Sequence, residues 1–177
     1  MELVEVLFTQ EQVEEKIDKI AEQINKDFEG SDDIIVIGVL KGGVYFMTEL
    51  TKRITLPIAI DFISASSYGD GTVSSGNVLI TKEPDTYIEG KDVIIVEDII
   101  DTGRTLSCLF EKLKQRNPKS LTLCTLLNKP DRRIPDATVE PDYNGFEIPD
   151  LFVVGYGLDY AQKYRNLPYI GVLKFDK

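Results

Sequence analysis

Glu97 and Asp98 stand side by side behind the apolar run of residues 93–96, and two isoleucines later the chain reads Asp101-Thr102-Gly103-Arg104-Thr105. Adjacent carboxylates at the end of a strand can accept hydrogen bonds from paired hydroxyls or hold a hard cation. Gly103 permits a backbone turn that a Cβ would block, and Thr102 and Thr105 add hydroxyl donors. The N–H groups of such a loop, with those of the helix that follows, make a cradle for a phosphate monoester. The carboxylates repel phosphate but suit the vicinal hydroxyls of a ribose, so the spacing describes a ribose 5-phosphate site. A lone DTG reads more simply as a capped helix start. The chemistry is carried by the whole order: apolar strand, ED, then DTGRT. No histidine occurs in the 177 residues, so acid–base work falls to Asp, Glu, Lys or Tyr.

The elements that must position these residues follow from periodicity. Thr9 and Gln12 have the spacing of a capping box, and Val13, Ile17, Ile20 and Ile24 recur at helical spacing, which predicts a helix over about 10–28. IIVIGVL at 34–40 reads as a strand buried on both faces, followed by Lys41-Gly42-Gly43 and a helix over about 44–53. Further strands are predicted at 58–64, 78–81, 93–96, 121–127, 151–154 and 170–173, with a helix over 106–115. Residues 67–77 (SYGDGTVSSGN) form a loop of the length typical of lids, and 128–150 is rich in Pro, Asp and Arg without clear period. Asp142 and Asp150 are read there as solvated loop residues. Strands alternating with helices imply an α/β fold with a parallel twisted sheet flanked by helices. Ligands of such sheets sit at the carboxyl ends of strands, which singles out Lys41-Gly42-Gly43 and Glu97-Asp98. GDGTVS at 69–74 lacks the third glycine of a dinucleotide fingerprint.

The bulk properties set the outer limits. The length fits one domain, and 42% hydrophobic with 28% charged residues is ordinary globular composition. A formal charge of −10 disfavours a nucleic-acid or anionic-membrane surface. Cys108 and Cys124 lie among apolar neighbours and are expected to be reduced core residues. The first residues carry acid where a signal peptide carries base, and no apolar run approaches a membrane span, so a cytoplasmic protein is expected.

VIIVEDIIDTGRT resembles the signature of the type I phosphoribosyltransferases, and further matches are similar to the hypoxanthine-guanine branch of that family. LKGG at 40–43 matches the branch's pyrophosphate loop, Ser67-Tyr68 its flexible-loop pair, and Lys129 its purine-contacting lysine. FEIPD at 146–150, FVVGY at 152–156, LDY at 158–160 and Arg165 match its base-binding hood, so the resemblance covers about 34–173. The resemblance implies a phosphoribosyltransferase core over about 10–128 and a small C-terminal hood over about 129–177 that includes the N-terminal segment. It implies Mg²⁺ as cofactor, with Glu97, Asp98 and Asp159 as metal residues. Phosphoribosyl pyrophosphate would meet Lys41, Gly42, Glu97, Asp98, Asp101, Thr102, Gly103, Arg104, Thr105 and Arg165. The purine would meet Lys129, Phe152, Val153 and Asp159, with Asp101 the catalytic proton carrier. In the family the peptide before the first glycine of the pyrophosphate loop is often cis, here Lys41–Gly42.

Physical chemistry supports parts of this assignment. An ammonium such as that of Lys129 donates but cannot accept, so it suits a 6-oxo group and not a 6-amino group. Arg104 stands where lysine is more usual, and the two cations differ in geometry; Gly157 stands where alanine is more usual. The implied activity is transfer of 5-phosphoribosyl to N9 of hypoxanthine or guanine by a homodimer or homotetramer, with no nucleic-acid or membrane partner. Two competing readings share the fold. A pyrimidine acceptor is disfavoured by Lys129 and the hood match, and a nucleic-acid-binding regulator by the charge.

Overall fold

Alternate residues of the central strands feed two different cores, and this is what makes the sheet the spine of the molecule. The computed structural model describes residues 2–67 and 78–175. In chain order the elements are β1 (Glu2–Phe8), α1 (Gln10–Asp27), β2 (Ile34–Leu40), α2 (Val44–Thr51), β3 (Ile58–Ser67), β4 (Val78–Lys82), β5 (Asp92–Ile100), α3 (Arg104–Lys114), β6 (Ser120–Asn128), β7 (Tyr143–Glu147), β8 (Val153–Val154) and β9 (Ile170–Phe175). Ile34 and Val36 of β2 and Ile94 and Val96 of β5 pack with α1 and α2. Their neighbours Ile35, Ile37, Val93 and Ile95 pack on the opposite face with Leu106, Leu109 and Leu113 of α3. A strand covered on both faces needs apolar side chains at every position, which is why both runs are continuous rather than alternating.

Six strands form the main sheet in the order β4-β3-β2-β5-β6-β7. β2, β3, β5, β6 and β7 run parallel, whereas β4 pairs antiparallel with β3, with Ser67 opposite Val78. The expectation of a parallel sheet therefore holds except at this edge. β7 lies within the stretch of 128–150 that showed no clear period. As the opposite edge strand, with the mixed sequence YNGFE, it has little apolar pattern to display. A second sheet, β1-β9-β8, is antiparallel and joins the two ends of the described chain. Its residues Val153 and Ile170, with Tyr156 and Leu158 nearby, pack into the same core as α1 and α2. The hood is thus fixed to the body by apolar contact. No helix among the described residues is long and apolar enough to cross a membrane.

The helix α1 begins as its sequence implies. Gln12 N–H donates to Thr9 Oγ1 at 3.3 Å and Thr9 N–H donates to Gln12 Oε1 at 2.9 Å, a complete capping box. Val13, Ile17, Ile20, Ala21 and Ile24 then form the buried stripe. Thr9 lies far from residues 97–105 in sequence and caps the helix whose buried stripe shares a core with the hood. Thr9→Ala is expected to lower unfolding stability by about 1 kcal/mol, with Thr9→Ser close to wild type; urea denaturation followed by circular dichroism measures both.

Candidate active site

The strand order reverses between β2 and β5: from β2 the chain proceeds outward to β3, and from β5 outward to β6 and β7. Crevices open at the carboxyl ends of strands where this happens. Leu40-Lys41-Gly42 at the end of β2 and Glu97 to Gly103 at the end of β5 both line a cavity of about 330 Å³ there. Sequence and topology thus locate the same place independently.

β5 continues through the two carboxylates rather than ending before them. Asp98 is 8% exposed and Glu97 half-buried. Glu97 Oε1 accepts from Asp98 N–H at 3.0 Å, and Asp98 Oδ1 accepts from Ile99 N–H at 2.8 Å. Burial, followed by the neighbouring Asp98 carboxylate, pushes the Glu97 carboxyl well above the usual range. Burial also raises Asp98, against the opposing pull of hydrogen bonds from Glu97 and Ile99 and the charge of Arg165. Two acids so placed cannot both ionise cheaply. Gly42 packs directly on Asp98, so that a Cβ there would lie 1.8 Å from Oδ2. No residue but glycine fits between this loop and that carboxylate.

The Lys41 turn contains a cis peptide, and it is Leu40–Lys41. The expectation for Lys41–Gly42 is therefore displaced by one bond. The exposed Lys41 ammonium donates to Gln162 Oε1 at 3.2 Å, which links the loop to the hood. Across the cavity, Gly103 adopts φ 79° as the N-cap of α3 and has no side chain to cap the helix. The first-turn N–H groups of α3 therefore start beside the cavity that Thr102, Gly103 and Thr105 line. Arg104 opens α3, its N–H donating to Thr102 Oγ1 at 3.4 Å. Arg165 enters from the hood: Nη1 donates to Gly157 O at 2.6 Å and Nη2 lies 2.8 Å from Asp159 Oδ1. Asp159 also accepts from Gln162 N–H at 2.8 Å.

A second cavity of about 640 Å³ adjoins the first and shares Asp98, Ile99, Asp101 and Asp159 with it. Its other walls include Lys129, Arg132, Asp150, Phe152 and Val153. Lys129 is only 7% exposed, its backbone N–H held by Ile100 O at 3.0 Å and its ammonium 3.5 Å from Asp150 Oδ1. Phe152 is 49% exposed and meets Tyr160 edge-on at 5.7 Å, so its ring is a cavity wall and not core. Val153, by contrast, is buried in β8 beneath it. Cys124 is buried, whereas Cys108 is only half-buried on α3, and both thiols are free.

Sequence reasoning missed two residues here, Arg132 and Arg133. Arg132 donates from Nε to Asp101 Oδ1 at 3.1 Å and from Nη1 to Asp150 Oδ2 at 3.4 Å. Arg133 donates to the Asp101 carbonyl oxygen and, at 2.6 Å, to Asn128 Oδ1. Asp150 and Asp142 are exposed loop residues as expected, but each also has a partner: Asp150 forms ion pairs on the cavity wall, and Asp142 Oδ2 accepts from Leu123 N–H at 2.7 Å. Of the expected flexible-loop pair, Ser67 is the last residue of β3, and Tyr68, with the rest of 68–77, lies outside the described residues.

No three acidic residues among the described ones gather into a ready metal cage. Asp159 instead bonds to Arg165 and Gln162, apart from the Glu97–Asp98 pair. A buried and a half-buried carboxylate, whose charge Arg165 answers only in part among the described residues, nevertheless suit Mg²⁺, which is usually held by one or two carboxylates together with substrate oxygens. The same imbalance predicts a trade of stability for function. Glu97→Gln or Asp98→Asn is expected to stabilise the ligand-free protein by on the order of 1 kcal/mol. The sign follows from linkage: a carboxyl with a raised folded pKa weakens the fold as pH climbs past its unfolded value. The gain should thus be present at pH 7 and vanish below about pH 4, as thermal melts at both pH values will register.

Comparison with known proteins agrees with this geometry. A family model for the phosphoribosyl transferase domain matches residues 4–161. The hypoxanthine-guanine phosphoribosyltransferase of Streptococcus thermophilus is 50% identical over 173 residues, covering 98% of this chain and 94% of that protein. The bifunctional protein TilS/HprT of Listeria innocua is 51% identical over 173 residues, which are 98% of this chain but only 26% of that longer protein. A crystal structure of a hypoxanthine phosphoribosyltransferase from Staphylococcus aureus superposes with a TM-score of 0.91 at 49% identity, covering 96% of this chain and 91% of that one. With its cradle, carboxylate pair and hood arranged on this sheet, the chain belongs to the phosphoribosyltransferase family, among its bacterial hypoxanthine-guanine members.

Proposed function

We propose that this protein is a purine-salvage enzyme of the cytoplasm that transfers 5-phosphoribosyl from phosphoribosyl pyrophosphate to N9 of hypoxanthine or guanine. The products are IMP or GMP and pyrophosphate. The observation that carries the reading is the pair of adjoining cavities. One is lined by an anion cradle and two carboxylates, the other by an ammonium and an exposed aromatic ring, and they meet at Asp98, Ile99, Asp101 and Asp159.

In this reading the first cavity holds the donor. Thr102, Gly103, Arg104 and Thr105 take the 5-phosphate at the start of α3, and Glu97 and Asp98 accept from the ribose hydroxyls. The backbone of Lys41-Gly42 and the guanidinium of Arg165 take the diphosphate. Mg²⁺, held by Glu97 and Asp98 with a second ion near Asp159, would neutralise charge on the leaving diphosphate. The purine enters the second cavity, where Phe152 stacks on its face and Val153 supports the ring from β8. Base–aromatic stacking of this kind is worth roughly 1–3 kcal/mol. Lys129 donates to the 6-oxo group.

The bond from C1 to the diphosphate oxygen breaks as the bond from N9 to C1 forms, and the proton on purine N7 passes to the Asp101 carboxylate. Positive charge developing at C1 lies beside Glu97 and Asp98, whose negative charge stabilises it. Asp101 belongs to both cavities, which is the place such a proton carrier must occupy.

Incubation with phosphoribosyl pyrophosphate, Mg²⁺ and each nucleobase in turn should give nucleotide from hypoxanthine and guanine and essentially none from adenine or uracil. Lys129→Met should weaken 6-oxopurine use by about 10–100-fold in kcat/KM, the cost of a lost charged hydrogen bond. Turnover of adenine or uracil without any 6-oxopurine would overturn the assignment of Lys129. Asp101→Asn should lower kcat by about 10²–10⁴ while the donor's dissociation constant, read by calorimetry, stays within about twofold of wild type. Equal losses in turnover and donor binding would make Asp101 structural.

A further inference from the structure

Four charges of alternating sign run along one wall of the purine cavity: Asp101, Arg132, Asp150 and Lys129. Arg132 is the hinge of this row. Its Nε donates to Asp101 Oδ1 at 3.1 Å and its Nη1 to Asp150 Oδ2 at 3.4 Å, and the other oxygen of Asp150 lies 3.5 Å from Lys129 Nζ. The geometry points to Arg132 as a positioning residue that holds Asp101 and, through Asp150, Lys129 at a fixed spacing, so that N7 and the 6-oxo group are read as one edge. The inference rests on the assignment of Asp101 and Lys129 to the purine made above.

The chemistry of the base asks for such a device. N7 and O6 sit side by side on one edge of a 6-oxopurine. Two side chains must therefore reach neighbouring atoms, one taking a proton and one donating a hydrogen bond. Asp101 and Lys129 come from different segments, the loop after β5 and the turn after β6. Their backbones are already tied: Lys129 N–H donates to Ile100 O at 3.0 Å, and Arg133 holds the Asp101 carbonyl. Arg132 sits in the same turn, its N–H donating to Lys129 O at 3.1 Å, and it extends the tie from main chain to side chain. A planar guanidinium can hold two carboxylates at once in a set geometry, which an ammonium cannot.

The row is poor as a stability device. Arg132, Asp101 and Asp150 are 46%, 41% and 57% exposed as side chains, and ion pairs so open to water contribute little to folding. Asp150 has the further character of a placeholder. It gives the nearly buried Lys129 ammonium an acceptor at 3.5 Å, a separation long enough for a 6-oxo group to compete for that donor.

The test is steady-state kinetics of Arg132→Ala, Arg132→Lys, Asp150→Ala and the Arg132→Ala/Asp150→Ala double variant. Arg132→Ala should lose at least about tenfold in kcat with hypoxanthine and raise the hypoxanthine KM several-fold. The donor KM should stay within about twofold and the melting temperature within about 2 °C. Arg132→Lys should recover only part of the loss, and millimolar guanidinium should partly restore Arg132→Ala but not Asp101→Asn. Because the residues act in one row, the double variant should be no worse than Arg132→Ala by more than about twofold. Wild-type kcat and hypoxanthine KM in Arg132→Ala would overturn the inference. So would losses that multiply in the double variant, or a matched loss of donor KM and melting temperature. Failure of the underlying assignment looks different: the unaltered protein would then not use 6-oxopurines at all.

Discussion

Two carboxylates that would rather be neutral are held side by side at the carboxyl end of the central strand, and the surrounding structure is arranged around that constraint. β5 is buried on both faces along most of its length, so Glu97 and Asp98 cannot turn away to bulk water. Gly42 closes over Asp98 so tightly that no side chain fits between. Arg165 contributes a partial counter-charge but is itself engaged by Asp159 and the Gly157 carbonyl. Ionising both carboxyls therefore calls for a counter-charge beyond the one Arg165 supplies. Ribose hydroxyls and a divalent cation are the partners that would answer it, and a monoanionic or apolar ligand would not. The proposed binding of a highly anionic donor is compatible with a net charge of −10 because the groups that would meet it are local. They are the N–H groups at the start of α3 and the cations Lys41 and Arg165 that line the cavity.

The hood answers a different problem. The cavities at the switch point are open to solvent on the side away from the sheet, and an activated sugar exposed there would be lost to water. The chain covers that side with a three-stranded antiparallel sheet whose strands come from both ends of the sequence. The apolar residues beneath it join the α1–α2 core, which leaves the hood no core of its own. A lid anchored in this way presents Phe152, Asp159 and Arg165 as parts of a largely preformed wall. The hydrogen bond from Lys41 to Gln162 ties the loop after β2 to the same wall.

How much of this was legible in the sequence follows from the distance over which each feature is determined. The segment from residue 93 to 105 is decided within thirteen consecutive positions, and α1 with its capping box within one helix; both read directly. β1 was missed because its only partner, β9, lies at the other end of the chain, and ELVEVLF alone carries no turn signal to mark it as a strand. The antiparallel direction of β4 is set by how the chain returns after β3, which five residues of VLITK do not encode. Phe152 stands beside Val153 and Val154, and three apolar residues in a row give no face, so only the exposure of the ring separates wall from core. Arg132 and Asp150 were invisible for another reason. In a stretch with several charges and no period, nothing local says which carboxylate meets which cation.

The two halves of the site are specified over different distances along the chain. Motifs of this family are contiguous because a phosphate cradle must be built from consecutive backbone N–H groups, which forces its residues to be neighbours in sequence. A purine edge imposes no such rule, and in the proposed reading its contacts come from the loop after β5, the turn after β6 and residues 152–153 at the start of β8. Joining contacts from separate segments takes side chains long enough to bridge them, and arginine, with a planar fork on a flexible stem, is the residue that can do so without entering the core. The exposed ion pairs between Asp101, Arg132 and Asp150 are therefore best understood through the alignment they impose on groups that water would otherwise leave free to move, since their contribution to folding is small.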